Sequence, residues 1–109
     1  MTERAPAPGS APAAPAAAGG DALVRRFEIR NQYGIHARPA ALLVKTASGF
    51  RADITIRNGP VAVSAKSIMG LLTIEGYQGV VLEVSARGPD AGAALDAIGE
   101  LFEKKFFED

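Results

Sequence analysis

Four segments of the chain alternate apolar and polar side chains with a period of two, which is the pattern of half-buried β-strands. In the first, Phe27 and Ile29 alternate with arginine and glutamate. The other three lie at about 53–57, 61–63 and 82–87. Because each predicted strand has a single apolar face, the pattern favours a sheet that is covered on one side only.

Two further segments are apolar at helical spacing, which predicts amphipathic helices. The first ends before Gly49, and the second begins at Asp90 and runs to two lysines at 104–105. A short helix is predicted after Ser67, since serine is a preferred N-cap. Asn58-Gly59 predicts a hairpin between the second and third strands. The predicted order is β-α-β-β-α-β-α, an α+β fold with its helices on the apolar face of the sheet.

The first 22 residues differ from the rest in composition. They consist almost wholly of alanine, proline and glycine, with no large apolar side chain after Met1. Such a segment buries too little to offset the entropy of ordering it. We therefore predict a disordered arm at 1–22 and one folded domain at 23–109.

Composition excludes several classes of function. The 109 residues include 12 basic and 12 acidic side chains, one histidine and no cysteine. A net charge of zero argues against general binding of nucleic acid or of anionic membranes. One histidine without cysteine argues against a metal site. The chain has no signal peptide and no apolar run long enough to insert into a membrane, so we expect a cytoplasmic protein.

The only histidine lies where the first strand leads into the first helix. His36 is predicted at the helix N-terminus, where free N–H groups and the helix dipole favour an anion. Arg38 can offer its guanidinium to phosphate oxygens. A neutral imidazole is nucleophilic, so these residues suit a histidine that carries a phosphoryl group. The residues alone leave a second interpretation open, in which His36 is a helix cap or a solvated surface residue.

Two motifs at a spacing of about thirty residues decide between these interpretations. Residues 34–40 read GIHARPA and residues 64–70 read SAKSIMG. Together they resemble the two signature sites of the histidine-containing phosphocarrier (HPr) family of the phosphoenolpyruvate-dependent sugar phosphotransferase system. The resemblance covers about 23–109. It implies an open-faced β-sandwich, with a four-stranded antiparallel sheet and three helices on one face.

The resemblance also implies a role for individual residues. His36 would accept a phosphoryl group on its δ nitrogen from phospho-enzyme I and pass it to enzyme IIA, with Arg38 contacting the phosphate. The protein would then be a carrier rather than an enzyme, without a cofactor. Ser67 matches the serine that HPr kinase/phosphorylase modifies in many bacteria. The partner surface would include Ala37, Ala41, Lys45, Ile68, Met69 and Leu72. We expect one or two of these last three apolar residues to lie in the core.

Other functions remain open at this point. A paralogue in the nitrogen-related branch (NPr) would use the same His36 chemistry. A purely regulatory binding module of this family would not need intact His36 and Arg38. An RNA-binding domain would need a stacking array of aromatic residues, which the sequence lacks. We expect a monomer.

Charge is uneven along the chain although the total is zero. Residues 25–66 hold eight basic and two acidic side chains, whereas 67–109 hold three basic and eight acidic. His36 lies in the basic half, which predicts surroundings suited to acidic partner surfaces.

Overall fold

The structure of the protein is a computed structural model that describes residues 22–108. All but the last residue of the predicted arm lies outside this range. The strands are β1 (Leu23–Glu28), β2 (Asp53–Asn58), β3 (Val61–Ser64) and β4 (Val81–Arg87). The helices are α1 (Ala37–Ser48), α2 (Ile68–Leu72) and α3 (Ala91–Glu103), followed by a 3₁₀ turn at Lys105–Phe107. The predicted order of elements is confirmed.

The four strands form one antiparallel sheet in the order β1-β4-β2-β3. The last strand therefore lies between the first two, an arrangement that no local pattern specifies. Register places Phe27 opposite Leu82 and Ile56 opposite Val84, so their apolar side chains share one face. Helix α3 packs on β1, β4 and β2, and α1 packs against α2 and α3. The predicted one-sided sheet is confirmed.

The uncovered face of the sheet is polar. Glu83 is opposite Arg26 on one neighbouring strand and opposite Arg57 on the other. Asp53 is opposite Arg87 in the same way. Opposite charges on directly paired strands contribute modestly to sheet stability.

The hairpin between β2 and β3 is confirmed, but its turn differs from the expected one. Asn58 is the last residue of β2 and is opposite Val61, so the central turn residues are Gly59 and Pro60. Only Gly59 takes a positive φ, of 61°. Glycine at the first central position is the type II′ pattern. Asn58 instead acts through its side chain, as Nδ2 donates to the Ile74 carbonyl at 2.9 Å.

Asp90 begins α3 as predicted, but its carboxylate does not cap the helix. It accepts hydrogen bonds from the N–H groups of Arg51 at 2.8 Å and Ala52 at 2.9 Å, in the segment before β2. The Arg51 N–H holds the pKa of Asp90 below its ordinary value of 3.8. The side chain thus ties the start of α3 to the start of β2.

Candidate functional site

The loop that carries the histidine is fixed by backbone hydrogen bonds to a second loop. The Ile29 N–H donates to the Val80 carbonyl and the Gly79 N–H donates to the Ile29 carbonyl, both at 2.8 Å. Farther along, the Ile35 N–H donates to the Gly76 carbonyl, also at 2.8 Å. This pairing satisfies backbone groups of the irregular segment that have no partner within a helix or the sheet.

Gly34 gives this loop its shape. Its φ is +65°, and a Cβ at this position would lie 2.1 Å from the Gly76 carbonyl oxygen. Only glycine combines this conformation with this close approach. The Asn31 side chain closes the turn from inside, because its Nδ2 donates to the Gly34 carbonyl at 2.8 Å.

His36 occupies the N-cap position of α1, with φ −94° and ψ −164°. Its ring makes no capping hydrogen bond, and its side chain is 39% exposed. The first bond of the helix runs from the Ala40 N–H to the His36 carbonyl at 2.9 Å. The N–H groups of Ala37 and Arg38 precede that bond and lack an intrahelical partner. His36 therefore occupies the predicted N-cap position, but its side chain does not cap the helix and lies beside N–H groups that have no intrahelical partner.

The ring has one strong polar contact, which the sequence analysis missed. Nε2 of His36 lies 2.9 Å from Oε2 of Glu108. The other oxygen of this carboxylate, Oε1, accepts from Nδ2 of Asn31 at 3.0 Å. Asn31 is fully buried, and the Glu108 side chain is 16% exposed. His36 and Glu108 are 72 positions apart, so no local signal links them.

An unusual turn brings Glu108 to the histidine. Lys105, Phe106 and Phe107 take positive φ values of 55°, 54° and 62° in succession. A left-handed conformation costs a non-glycine residue about 1–2 kcal/mol. Phe106 offsets this cost, because its ring is fully buried and contacts Phe102 edge to face at 5.0 Å. Of the two lysines at the predicted end of α3, Lys104 is the C-cap and Lys105 is the first residue of this turn.

Tyr33 covers one side of the histidine. Its ring is perpendicular to that of His36, with the centroids 6.1 Å apart. The tyrosine is 70% exposed, so the contact lies at the surface.

The other predicted site residues of α1 are exposed. Ala37, Ala41 and Lys45 are spaced four apart and lie on one side of the helix. Arg38 is exposed beside His36, and its guanidinium forms no hydrogen bond or ion pair with any residue between 22 and 108. The guanidinium is thus available to an incoming anion.

Helix α2 presents apolar side chains to solvent. Ile68, Met69 and Leu72 are 40%, 71% and 47% exposed, and the buried residue of the helix is Leu71. The expectation that one or two of the three lie in the core is therefore wrong, because a five-residue helix has room for only one inward position. Ser67 caps α2 as predicted, with its hydroxyl oxygen accepting from the Gly70 N–H at 3.1 Å.

Charge around the histidine is mixed rather than basic. Glu108 comes from the acidic half of the sequence and contacts His36 directly, while Arg38 comes from the basic half. The two halves also interleave elsewhere, since Arg25 pairs with Asp96 at 2.6 Å. Within 22–108, no three metal-binding side chains cluster, and no helix has the length and apolarity to cross a membrane.

Comparison with known proteins identifies the family of the chain. A family described as "PTS HPr component phosphorylation site" matches residues 23–104. The phosphocarrier protein HPr of Treponema pallidum is 44% identical over 87 residues, which cover 80% of this chain and 99% of that protein. The phosphocarrier protein NPr of Shewanella violacea is 45% identical over 86 residues, which cover 79% and 94%. The crystal structure of HPr-C-His from Thermoanaerobacter tengcongensis superposes with a TM-score of 0.77 at 44% identity, over 80% of this chain and 98% of that one.

The family match and the fold together place the chain among the phosphocarrier proteins. The chain belongs to the HPr family of the phosphotransferase system. The predicted open-faced β-sandwich is confirmed.

Proposed function

We propose that His36 is the phosphoryl acceptor of this carrier, and that it takes the group from phospho-enzyme I and passes it to enzyme IIA. The observation that supports the proposal best is the placement of the ring. It is part-exposed at the N-terminus of α1, does not serve as the cap, and lies beside the unpaired N–H groups of Ala37 and Arg38. These donors and the helix dipole favour a dianionic group next to the ring.

The transfer is a displacement at phosphorus. The lone pair of Nδ1 attacks, and a new N–P bond forms as the bond between phosphorus and the donor breaks, with its electron pair leaving on the donor. Arg38 supplies a planar pair of donors to the transferred oxygens. Its exposed position makes this grip moderate, which a carrier needs, because tight binding of the phosphorylated state would slow the onward step.

Labelling by enzyme I and phosphoenolpyruvate tests the acceptor. We expect an acid-labile phosphoryl group on the full chain and none on His36→Ala. Arg38→Ala should still be labelled, but more slowly, and Arg38→Lys should recover part of the rate. Stable labelling of His36→Ala would overturn the assignment.

We propose that Ser67 is a second phosphorylation site, modified by an HPr kinase/phosphorylase. Its hydroxyl lies at the N-terminus of α2 and already accepts the Gly70 N–H. A phosphate at a helix N-terminus is electrostatically favourable, so modification need not unfold the helix. The added charge would lie beside the exposed Met69 and act on docking.

Two substitutions of Ser67 separate regulation from capping. Ser67→Ala removes both the modified oxygen and the cap, and it should lower stability by about 1 kcal/mol. Ser67→Asp keeps a capping oxygen and should retain stability. With ATP and the kinase, both variants should lack the acid-stable adduct of the parent. An adduct that persists on Ser67→Ala would place the modification on another hydroxyl.

We propose that partners dock on the surface formed by α1 and α2 around His36. This docking surface consists of Ala37, Ala41, Lys45, Ile68, Met69 and Leu72. All six are exposed, and three are large and apolar. Methionine adapts its shape to several partners, which suits a relay protein. We place the relay in the cytoplasm, because a chain without cysteine needs no oxidising compartment to form disulfides, and we expect a monomer because the open sheet face is charged.

The nitrogen-related branch is the second candidate. The Shewanella violacea NPr is as similar to this chain as the Treponema pallidum HPr, at 45% and 44% identity. Rates of phosphorylation by purified enzyme I of each branch distinguish the two. A faster reaction with the sugar-branch enzyme supports the first assignment, and a faster reaction with the nitrogen-branch enzyme supports the second.

A further inference from the structure

We propose that Glu108 is a positioning residue for phosphoryl transfer. Its carboxylate holds the neutral His36 ring in the tautomer with the proton on Nε2, which leaves the lone pair on Nδ1 to attack phosphorus. This inference rests on the proposed function of His36 and adds a residue from the far end of the chain.

The contact itself determines where the proton lies. A carboxylate has acceptor atoms only. Oε2 lies 2.9 Å from Nε2 of His36, so the ring must donate there. A neutral imidazole carries one N–H, and the other nitrogen then has its lone pair free. The geometry therefore selects the nucleophilic nitrogen before any donor arrives.

The carboxylate is held so that it cannot rotate away. Its other oxygen accepts from Nδ2 of Asn31 at 3.0 Å, and the same Nδ2 donates to the Gly34 carbonyl at 2.8 Å. Both protons of the Asn31 amide are thus used. Asn31 is fully buried, and Phe106 anchors the turn two residues before Glu108 in the core. A side chain that is oriented by a buried partner is fixed more firmly than a side chain without one.

The same contact has a role during the reaction. As the N–P bond forms at Nδ1, the ring gains positive charge, and the proton stays on Nε2. The Glu108 carboxylate faces that proton and stabilises the charge where it develops. In the reverse direction, loss of the phosphoryl group returns the ring to the neutral Nε2–H form, ready for another cycle.

Two substitutions of Glu108 should act in a characteristic order. Glu108→Ala removes the acceptor and releases the tautomer preference. Glu108→Gln should shift the tautomer further, because the glutamine amide has one accepting oxygen and one donating NH₂ group. Nδ2 of Asn31 still donates to the glutamine oxygen, since rotating the Asn31 amide would bring the Asn31 oxygen against the Gly34 carbonyl. The glutamine NH₂ then faces Nε2 and favours the tautomer with the proton on Nδ1.

The tautomer is measured by ¹⁵N NMR of the full chain, in which His36 is the only histidine and needs no assignment. We expect the Nε2–H fraction to fall from the parent to Glu108→Ala and again to Glu108→Gln. Phosphorylation by enzyme I should slow in the same order, by about ten-fold for Ala, the factor that one net hydrogen bond is worth. Glu103→Ala, at an exposed glutamate of the last α3 turn, is the matched control and should match the parent.

The outcomes separate this inference from the proposed function. If both Glu108 variants keep the tautomer ratio of the parent, the positioning role is overturned even though His36 accepts phosphate. If His36→Ala is labelled, the acceptor is another residue and the proposed function fails. Should Glu108→Ala not fold, the nearly isosteric Glu108→Gln still decides the question, because its predicted tautomer is opposite to that of the parent.

Discussion

Gly34 shapes the loop before His36. Position 34 requires glycine for two separable reasons. One is the positive φ of +65°, and the other is the close approach to the Gly76 carbonyl. Gly59, in the β2–β3 hairpin, shares the first part with a φ of +61°, but a Cβ added there would meet nothing within 4 Å. The two residues form a natural pair for comparison.

Gly34→Ala should destabilise the protein by more than about 2 kcal/mol, because strain and a backbone clash add together. Gly59→Ala carries the strain alone and should cost about 1 kcal/mol. Urea unfolding of both variants measures the difference. Equal losses would show that the contact with Gly76 relaxes without cost.

At the residue scale, the sequence indicated which side chains carry the chemistry, but it did not indicate which other side chains contact them. Its motifs indicated His36, Arg38 and Ser67, and the structure places the first two together at the start of α1 and the third at the cap of α2. Asn31 and Glu108 could not be found in this way. Asn31 resembles an ordinary turn residue, and Glu108 contacts the site only because a left-handed turn redirects the chain after α3.

The C-terminal turn is an element held by a single side chain. Phe106 is fully buried, whereas its neighbour Phe107 is 59% exposed, although both have the same backbone conformation. Hydrophobic burial therefore balances the strain of the turn at one position only.

Phe106→Ala should lower the free energy of unfolding by about 3–5 kcal/mol, the usual cost of removing a buried phenylalanine. Phe107→Ala should change it by less than about 0.5 kcal/mol. Chemical denaturation of the pair checks this prediction, with Phe107→Ala as the control for loss of an aromatic ring. A small effect at Phe106 would mean that the turn is not anchored in the core.

Asp90 links two elements by a pH-dependent contact. Its pKa is lowered in the folded state by the Arg51 N–H, so the contact stabilises the fold above the unfolded pKa, near 3.8. That stabilisation is lost as the pH falls below this value and the carboxylate takes up a proton.

Asp90→Asn should therefore lose less stability than the parent between pH 6 and pH 3. Urea midpoints at the two pH values give the comparison. Glu103→Gln, at an exposed glutamate of α3, is the control for the loss of one carboxylate. An unchanged slope in Asp90→Asn would contradict the linkage.

Periodicity predicted most of the strands and helices, but it did not predict how they are arranged. The alternation around Leu82 and Val84 predicted a half-buried strand, and the structure confirms it. The same pattern does not say that β4 lies between β1 and β2, because strand order depends on contacts between distant segments. The resemblance to a known family implied a four-stranded antiparallel sheet, and the structure adds the order of its strands.

At the scale of the whole molecule, the two faces of the fold have different uses. The open sheet face carries charged pairs, whereas the docking surface around His36 is apolar at its α2 end. A substitution that adds charge should therefore have very different effects on the two faces.

Met69→Asp should reduce phosphorylation by enzyme I about ten-fold or more, because it introduces a charge into the apolar centre of the docking surface. Val24→Asp, at a side chain 48% exposed on the open face, is the matched control and should leave the rate unchanged. Initial rates at limiting enzyme I measure both, and thermal melting confirms that both are folded. Equal rates for Met69→Asp and the parent would exclude α2 from docking.

The contact between His36 and Glu108 also bears on how the protein is made. A chain that is still being synthesised already contains the histidine, its arginine and the helix that follows them, but not the carboxylate 72 residues later. The left-handed turn and its anchoring phenylalanine are likewise translated well after the histidine. By our inference, a nascent or clipped chain presents an imidazole whose proton is not yet placed, and an efficient phosphoryl acceptor exists only once translation has reached Glu108.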